Sequence, residues 1–151
     1  MNALELHKAD HKAVKGLFKD FRNSGDAAYK TRASIAEKAF RELMVHSQIE
    51  EEIFYPAVAR ATGKEGKELV KEANEEHHVV DVLMGELQNM KSDDENYVAK
   101  FTVLMENVEH HIEEEEGEMF PEFEESISEE ELGAIGEKLL KRKEALAKAV
   151  V

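Results

Sequence analysis

The chain repeats one pattern of polar residues in its two halves, and this repeat constrains the fold more than any other feature. Residues 46–56 and 111–121 each begin with a histidine, place a glutamate four positions later and end on a proline. Each motif is preceded, by 35 and 34 positions, by a histidine that directly follows an acid, in Asp10-His11 and in Glu76-His77. The repeat therefore predicts two equivalent pairs of helices.

Apolar residues recur at spacings of three and four along almost the whole chain, which indicates amphipathic helices. Two prolines and eight glycines leave few interruptions. Breaks fall at residues 23–26 and 62–66, while residues 92–95 and 128–131 have the sequence of capping boxes that open helices. We predict helices at about residues 3–22, 27–61, 66–91, 92–120 and 128–149.

Long amphipathic segments joined by short turns are typical of a helical bundle. We predict an all-α fold, an up-down-up-down four-helix bundle over about residues 3–125 with an additional C-terminal helix at about 128–149 outside it. The 151 residues suit a single domain that spans residues 1–151.

The composition argues against several classes of function. A net charge of −14 disfavours nucleic acid and anionic membranes as partners, because phosphate binding needs a basic surface. Without cysteine the chain cannot form disulfides, thiolate zinc sites or cysteine-ligated iron–sulfur clusters. No stretch resembles a signal peptide or reaches the roughly 18 apolar residues of a membrane span. We therefore expect a soluble cytoplasmic protein.

The repeated histidines and glutamates fall on the inward faces of the predicted helices. Positions i and i+4 share one face of a helix, so the histidine and the glutamate of each motif point the same way. The histidine of each acid–histidine pair adds an imidazole from a separate helix. The repeat thus predicts that six side chains meet at mid-bundle: His11, His46, Glu50, His77, His111 and Glu115.

Two of these histidines stand beside a second histidine, and the repeat distinguishes the members of each pair. His111, and not His110, stands ten positions before a proline, as His46 does. His77, and not His78, directly follows an acid. Neighbouring residues point about 100° apart around a helix, so only one of each pair faces the axis directly.

A metal-free interior is the alternative, and it is energetically unfavourable. An unpaired buried charge costs several kcal/mol even after the protein relaxes. Imidazole and carboxylate donors without sulfur suit iron or manganese, whereas calcium and magnesium prefer oxygen ligands. The residues therefore predict a metal centre, with zinc or a single metal ion as alternatives.

These residues resemble the hemerythrin-like, or HHE cation-binding, family over about residues 4–125. The combined pattern is specific, although a single His-x-x-x-Glu would be weak. The matching pieces are Asp10-His11, His46-x-x-x-Glu50 with Phe54-Tyr55-Pro56, Glu76-His77, and His110-His111-x-x-x-Glu115 with Phe120-Pro121.

Hemerythrins are four-helix bundles that hold two non-haem iron ions joined by an oxo or hydroxo bridge. The resemblance implies such a centre here, with an open position for dioxygen or peroxide. The residues that it assigns are Glu50 and Glu115 as bridging carboxylates, His11 and His46 on one iron, and His77 and His111 on the other.

The sequence departs from the oxygen-carrying hemerythrins, whose third helix has two histidines four residues apart. Here Ala73 stands four residues before His77. Their second carboxylate is an Asp five residues after its histidine, whereas Glu115 follows after four. His7, one turn before His11, is either a fifth imidazole ligand or an exposed histidine near a helix end. These departures favour peroxide chemistry or sensing over reversible oxygen carriage.

Other polar residues near the motifs have simpler interpretations. Tyr55 and Tyr97 are expected to pack against neighbouring helices, with a phenol that donates a hydrogen bond near the site as the alternative. Glu51 or Glu52 could support a ligand instead of facing solvent. The glutamates that we expect to face solvent are Glu51, Glu52, Glu113, Glu114 and Glu116.

Three functions are compatible with this sequence. The first is a non-haem di-iron protein that binds or reacts with dioxygen, peroxide or nitric oxide, and a catalase- or peroxidase-like activity would be its enzymatic form. The second is an iron- or oxygen-sensing interaction module without catalysis. The third is a metal-free structural bundle, which bound iron would exclude.

Overall fold

A computed structural model describes residues 1–25 and 28–150. The described residues form α-helices that two π-helical turns, Glu50–Phe54 and Glu115–Met119, join in pairs. The first π turn connects α2 to α3, and the second connects α5 to α6. The α-helices are α1 (Ala3–Asn23), α2 (Tyr29–Ile49), α3 (Tyr55–Ala61), α4 (Lys64–Gln88), α5 (Tyr97–Glu114), α6 (Phe120–Ser126) and α7 (Glu129–Val150).

Four long rods make the bundle: α1, α2 continued by α3, α4, and α5 continued by α6. α1 packs on α2 and α4 packs on α5, which are the two pairs that the repeat predicts. α7 lies outside the bundle, across α1, α2 and the first π turn. The predicted all-α bundle with an additional C-terminal helix is confirmed. Within the described residues, no helix is both long enough and apolar enough to cross a bilayer.

The helix ends agree with the sequence in part. The Ser128 hydroxyl accepts a hydrogen bond from the Glu131 N–H at 3.1 Å, as the predicted capping box requires. The capping box predicted at residues 92–95 is wrong, because α5 begins only at Tyr97. There the Asp94 carboxylate accepts from the Asn96 N–H at 2.8 Å, a local bond that favours a turn. Residues 26 and 27, in the predicted break and the predicted helix start, lie outside the described residues.

Each π turn ends two residues before a proline, Pro56 or Pro121. A proline ring clashes with the carbonyl four residues earlier, and a wider turn relieves that clash. The N–H of Tyr55 bonds the carbonyl of Glu50, five residues back, and the N–H of Phe120 bonds that of Glu115. Residues five apart therefore come to lie over one another at both turns.

Two apolar clusters fill the interior and leave a polar layer between them. The first cluster includes Phe18, Phe40 and Phe101. The second cluster includes Ile49, Phe54, Phe123 and residues of α7. The predicted site residues belong to neither cluster, although all of them are buried. The apolar clusters therefore enclose the polar layer from both ends of the bundle.

Candidate metal centre

The polar layer contains all six predicted side chains together with His7, and each is at most 7% exposed. The neighbouring His78 and His110 are exposed, so the structure brings together the members that the repeat selects. α1 supplies His7 and His11, α2 supplies His46, α4 supplies His77, α5 supplies His111, and the two π turns begin at Glu50 and Glu115.

Three imidazoles lie on one side of the layer, and we call His7, His11 and His46 the three-histidine group. The Nε2 of His7 lies 3.2 Å from Glu50 Oε2, and that of His46 lies 3.3 Å from Glu50 Oε1. The Nε2 of His11 lies 3.1 Å from Glu115 Oε1. All three imidazoles therefore face a carboxylate through the same ring nitrogen.

His7 is part of this group and is fully buried, so the alternative of an exposed histidine near a helix end is wrong. Its Nδ1 lies 3.0 Å from the carbonyl oxygen of Ala3, which can only accept. Nδ1 therefore donates to that carbonyl, and Nε2 is the ring nitrogen that faces the centre. A neutral imidazole binds a metal through the nitrogen that carries no proton, so this orientation makes Nε2 available as a ligand.

Two imidazoles and a phenol lie on the other side, and we call His77, His111 and Tyr55 the tyrosine group. The Nε2 of His77 lies 3.0 Å from Glu50 Oε1, and that of His111 lies 3.4 Å from Glu115 Oε2. The Tyr55 hydroxyl donates to Glu115 Oε2 at 2.7 Å and lies 3.1 Å from the Nε2 atoms of both histidines. Both carboxylates thus face both groups.

Tyr55 is a site residue rather than only a packing residue, which the helical period did not indicate. In an α-helix, a residue five positions after Glu50 would point about 140° away from it. The π turn removes most of that difference and aims the phenol at the centre. Tyr97 packs in the first apolar cluster, as expected.

The two groups differ where the repeat is imperfect. Aligned through the repeat, Ala73 stands where His7 stands, and Phe120 stands where Tyr55 stands. The Phe120 ring packs 5.9 Å from the ring of His11. One half therefore supplies a third imidazole and the other half supplies a phenol, so the centre is asymmetric.

Four of the five imidazoles are each held at Nδ1 by a carboxylate, which orients the ring and aims Nε2 inward. Asp10 and Glu76, which directly precede His11 and His77, each bond the histidine of the following long helix. Glu51 and Glu116, which directly follow the inward glutamates, each bond a histidine of the other half. The pairs are Asp10 with His46 at 2.9 Å, Glu76 with His111 at 2.7 Å, Glu51 with His77 at 3.0 Å and Glu116 with His11 at 2.6 Å.

The expectation that Glu116 faces solvent is wrong, because its side chain is only 33% exposed and bonds His11. Glu51 supports His77, the alternative left open for it. The repeat could have indicated both residues, since each directly follows the inward glutamate of its motif. Side-chain polarity alone could not, because both carboxylates are also partly exposed, as surface acids are.

The charges of this layer shift the titration of its members. Burial alone would lower the pKa of His46, but the charge of Glu50 and the hydrogen bond of Asp10 outweigh it and raise that pKa to about 10. Burial acts to raise the pKa of Glu50, yet the neighbouring imidazoles hold it well below its usual range. Burial and the carboxylates of Glu115 and Glu50 raise the pKa of Tyr55. The layer thus favours buried negative charge compensated by positive charge.

Several polar atoms of the layer lack a hydrogen-bond partner among the described residues, although nitrogen and oxygen atoms approach within 3.0–3.3 Å. They are Nε2 of His7, Nε2 of His46 and both oxygens of Glu50. Their close contacts have distances but not directions suited to hydrogen bonds. Buried polar groups are normally bonded, so imidazole nitrogens and carboxylate oxygens that converge without hydrogen bonds fit a cation between them.

A small cavity of about 20 Å³ borders the centre. Its polar wall includes four of the imidazoles and Glu50, while aliphatic side chains form most of the rest. That volume accommodates about one water-sized molecule. The lining residues are His11, Val14, Leu43, His46, Ser47, Glu50, Glu76, His77, Val80, Val108, His111 and Ile112.

Comparison with protein families gives a match that spans most of the chain. The family described as the Hemerythrin HHE cation binding domain matches residues 2–123. The match covers the bundle and includes every residue of the centre, and it ends before α7.

Relatives of known sequence and structure agree with this match. An uncharacterised hemerythrin-like protein of Schizosaccharomyces pombe is 32% identical over 122 residues, which is 81% of this chain and 59% of that protein. The uncharacterised protein Rv2633c of Mycobacterium tuberculosis is 30% identical over 149 residues, 97% of this chain and 88% of that protein. The crystal structure of an HHE cation-binding domain protein, an Rv2633c homolog from Mycobacterium kansasii, superposes with a TM-score of 0.85 at 28% identity, over 99% of this chain and 89% of that one.

Proposed function

The chain belongs to the hemerythrin HHE cation-binding domain family, and from this premise we propose that it is a non-haem di-iron protein that reacts with dioxygen, peroxide or nitric oxide. The observation that supports this most is the pair of donor groups on either side of two shared carboxylates. The three-histidine group would hold one iron, and the tyrosine group would hold the other. Glu50 and Glu115 would bridge them.

The chemistry of the donors favours iron. The layer offers five imidazoles, two carboxylates and one phenol, and it offers no sulfur. Imidazole suits several transition metals, while carboxylate and phenol oxygen shift the preference toward harder ions such as iron and manganese. When bound, iron supplies one-electron redox chemistry and open positions for a small ligand.

The side chains of the layer have roles that follow from their contacts. The carboxylates at the Nδ1 atoms fix the imidazole rings, so that the Nε2 lone pairs stay aimed at the centre. The Tyr55 hydroxyl holds a proton that it donates to Glu115 Oε2. The bordering cavity admits one small molecule and excludes larger substrates. Its aliphatic wall favours an uncharged ligand.

Iron loading followed by ligand addition tests the proposal. The chain would be loaded with Fe²⁺ without oxygen, desalted, analysed for metal and then exposed separately to dioxygen, hydrogen peroxide and nitric oxide. We expect two irons per chain and an optical change with at least one ligand. His77→Ala should weaken both results, and His78→Ala, at an exposed neighbour, should leave both unchanged.

Two results would contradict the proposal: no retained iron, or an iron-loaded chain that responds to none of the three ligands. Oxygen release from peroxide above that of free iron would establish the enzymatic form. Iron retention with an optical response but without turnover would assign binding or sensing instead.

A further inference from the structure

α7 reaches the candidate metal centre through an ion pair between Lys143 and Asp10. Lys143 Nζ lies 2.5 Å from Asp10 Oδ1, and the Lys143 side chain is 34% exposed whereas that of Asp10 is 4% exposed. The second oxygen of Asp10 accepts from His46 Nδ1 at 2.9 Å. One buried carboxylate therefore connects a helix outside the family match to an imidazole of the three-histidine group.

The geometry restrains Asp10 from both sides. A carboxylate with one partner can rotate about its side-chain bonds, while one held at each oxygen by a different helix has its plane fixed. Asp10 lies on α1, His46 lies on α2 and Lys143 lies on α7. The cation on the outer oxygen thus determines how the inner oxygen meets the ring of His46, and hence where Nε2 points.

The other half of the repeat lacks this arrangement. Glu76 stands where Asp10 stands and holds His111 Nδ1 at 2.7 Å. Among the described residues, no lysine or arginine pairs with Glu76, and its outer side faces Glu114 and His110. α7 packs mainly on α1, α2 and the first π turn, all in the first half. The effect of the Lys143 ion pair should therefore reach the metal position beside His46 and not the one beside His111.

We propose that Lys143 is a positioning residue that, through Asp10, fixes the ring of His46 and so sets the metal affinity of the three-histidine group alone. This rests on the proposed function, since it requires that the group bind a metal. The tyrosine group keeps its own support from Glu76 and Glu51, and neither of these carboxylates pairs with Lys143.

The test uses the full chain and Fe²⁺ as the probe, titrated without oxygen against a competing chelator. Lys143→Met keeps most of the aliphatic stem and removes the charge, while Lys143→Arg restores a cation. The matched control is Arg142→Met, because Arg142 also anchors α7, through Glu52 at 2.7 Å. Among the described residues, the Glu52 side chain bonds Arg142 and Gln48 and no residue of the centre.

Removing a direct supporting partner of a ligand typically costs 10–100-fold in metal affinity, and Lys143 acts one step further out. We expect Lys143→Met to weaken one of the two Fe²⁺ ions by about tenfold and to leave the other within about twofold. Lys143→Arg and Arg142→Met should both bind the two Fe²⁺ ions with affinities close to those of the unchanged chain. If the Lys143→Met variant does not fold, Lys143→Gln takes its place, and the same change in Fe²⁺ affinity is expected.

A spectroscopic readout separates positioning from general stability. In the cobalt(II)-loaded chain, the Nδ1 protons of bound imidazoles give proton NMR signals shifted far from the rest. We expect the His46 signal to move or to exchange faster with water in Lys143→Met, while the His111 signal stays in place.

Three results would overturn the proposal. The first is an equal loss of affinity for both Fe²⁺ ions in Lys143→Met, and the second is no loss of affinity in that variant. The third is the same selective loss of affinity in Arg142→Met, which would assign the effect to helix packing. An unchanged chain that binds no Fe²⁺ would instead refute the proposed function itself, before any variant is compared.

Discussion

At the scale of single residues, the centre is defined by which ring nitrogen each histidine presents. The Nδ1 atoms of the five imidazoles face carboxylates or a backbone carbonyl, and the Nε2 atoms face the two inward glutamates. A ring held in this way loses little freedom when it binds a metal. The supporting oxygens therefore matter for affinity almost as much as the donors themselves.

His7 provides the first prediction. His7→Ala removes one Nε2 donor from the three-histidine group and leaves a buried cavity. We expect weaker binding of one Fe²⁺ ion, seen as iron lost during desalting and measured by metal analysis. The exposed His78 is the matched control, and His78→Ala should retain two irons. Equal iron content in the two variants would show that His7 is not a ligand.

Tyr55 provides the second prediction. To bind ferric iron, the Tyr55 phenol would give up the proton that it donates to Glu115. An iron-bound phenolate absorbs visible light, so the oxidised, iron-loaded chain should show such a band. Tyr55→Phe should abolish it, while Tyr97→Phe, in the first apolar cluster, should not. A band that persists in Tyr55→Phe would place the phenol near the centre as a hydrogen-bond donor only.

At the scale of elements, the π turns and α7 adapt a plain bundle to its site. Both π turns begin at the inward glutamates and end before the residues that the repeat aligns, Tyr55 and Phe120. α7 packs from outside on the end of the bundle that contains both π turns. Gly136 of α7 lies so near the start of α1 that an added Cβ would stand 2.4 Å from the Met1 carbonyl oxygen.

The third prediction concerns this close approach. Gly136→Ala forces α7 away from α1 and should lower the free energy of unfolding by about 1–3 kcal/mol, as overpacking usually does. Gly133→Ala, on the same helix with nothing within 4 Å of an added Cβ, should instead raise it by up to about 1 kcal/mol. Urea unfolding of the two variants measures both values. Equal effects would contradict the packing described for α7.

The sequence predicts the rods and the inward donors well because both depend on local period and on the repeat. Val70, Val80 and Met84 of the third rod are buried as their spacing requires. The π turns were not predicted, because the helical period of the sequence does not reveal the wider turn that relieves the clash before Pro56 and Pro121, and each wider turn shifts the period by one residue. Because of that shift, the helical period did not place Tyr55 at the centre. The role of Glu116 was missed because sequence alone does not distinguish a partly exposed carboxylate from other surface acids.

The start of α5 was missed for a different reason. Residues 92–95 satisfy the capping pattern, but the Asp94 side chain bonds the backbone two residues on and competes with helix formation. Whether a capping sequence opens a helix or a turn depends on where the next buried residue falls, here Tyr97. That position is set by the bundle and not by the capping residues.

At the scale of the whole molecule, a chain with a net charge of −14 buries Glu50 and Glu115 at its centre. Buried carboxylates without full compensation destabilise a fold. A cation that binds only the folded state stabilises it in proportion to its occupancy. Bound metal should therefore contribute a large part of the free energy of unfolding of this bundle.

The fourth prediction follows from this linkage. At a free metal concentration 100 times the dissociation constant, one bound ion adds about 2.7 kcal/mol to the free energy of unfolding. Thermal unfolding with Fe²⁺, and again after chelation, should show a clearly higher midpoint for the loaded chain. The double variant Glu50→Ala, Glu115→Ala should show no such difference. A midpoint that is insensitive to metal in the unchanged chain would argue for a structural bundle.

The most direct test of the central claim is anomalous diffraction at the iron edge from crystals of the iron-loaded chain. We predict two peaks in the buried layer, one beside His7, His11 and His46 and one beside His77, His111 and Tyr55, with Glu50 and Glu115 between them. An empty layer would contradict the account, and so would a peak only at the partly exposed cluster of Glu76, His110 and Glu114.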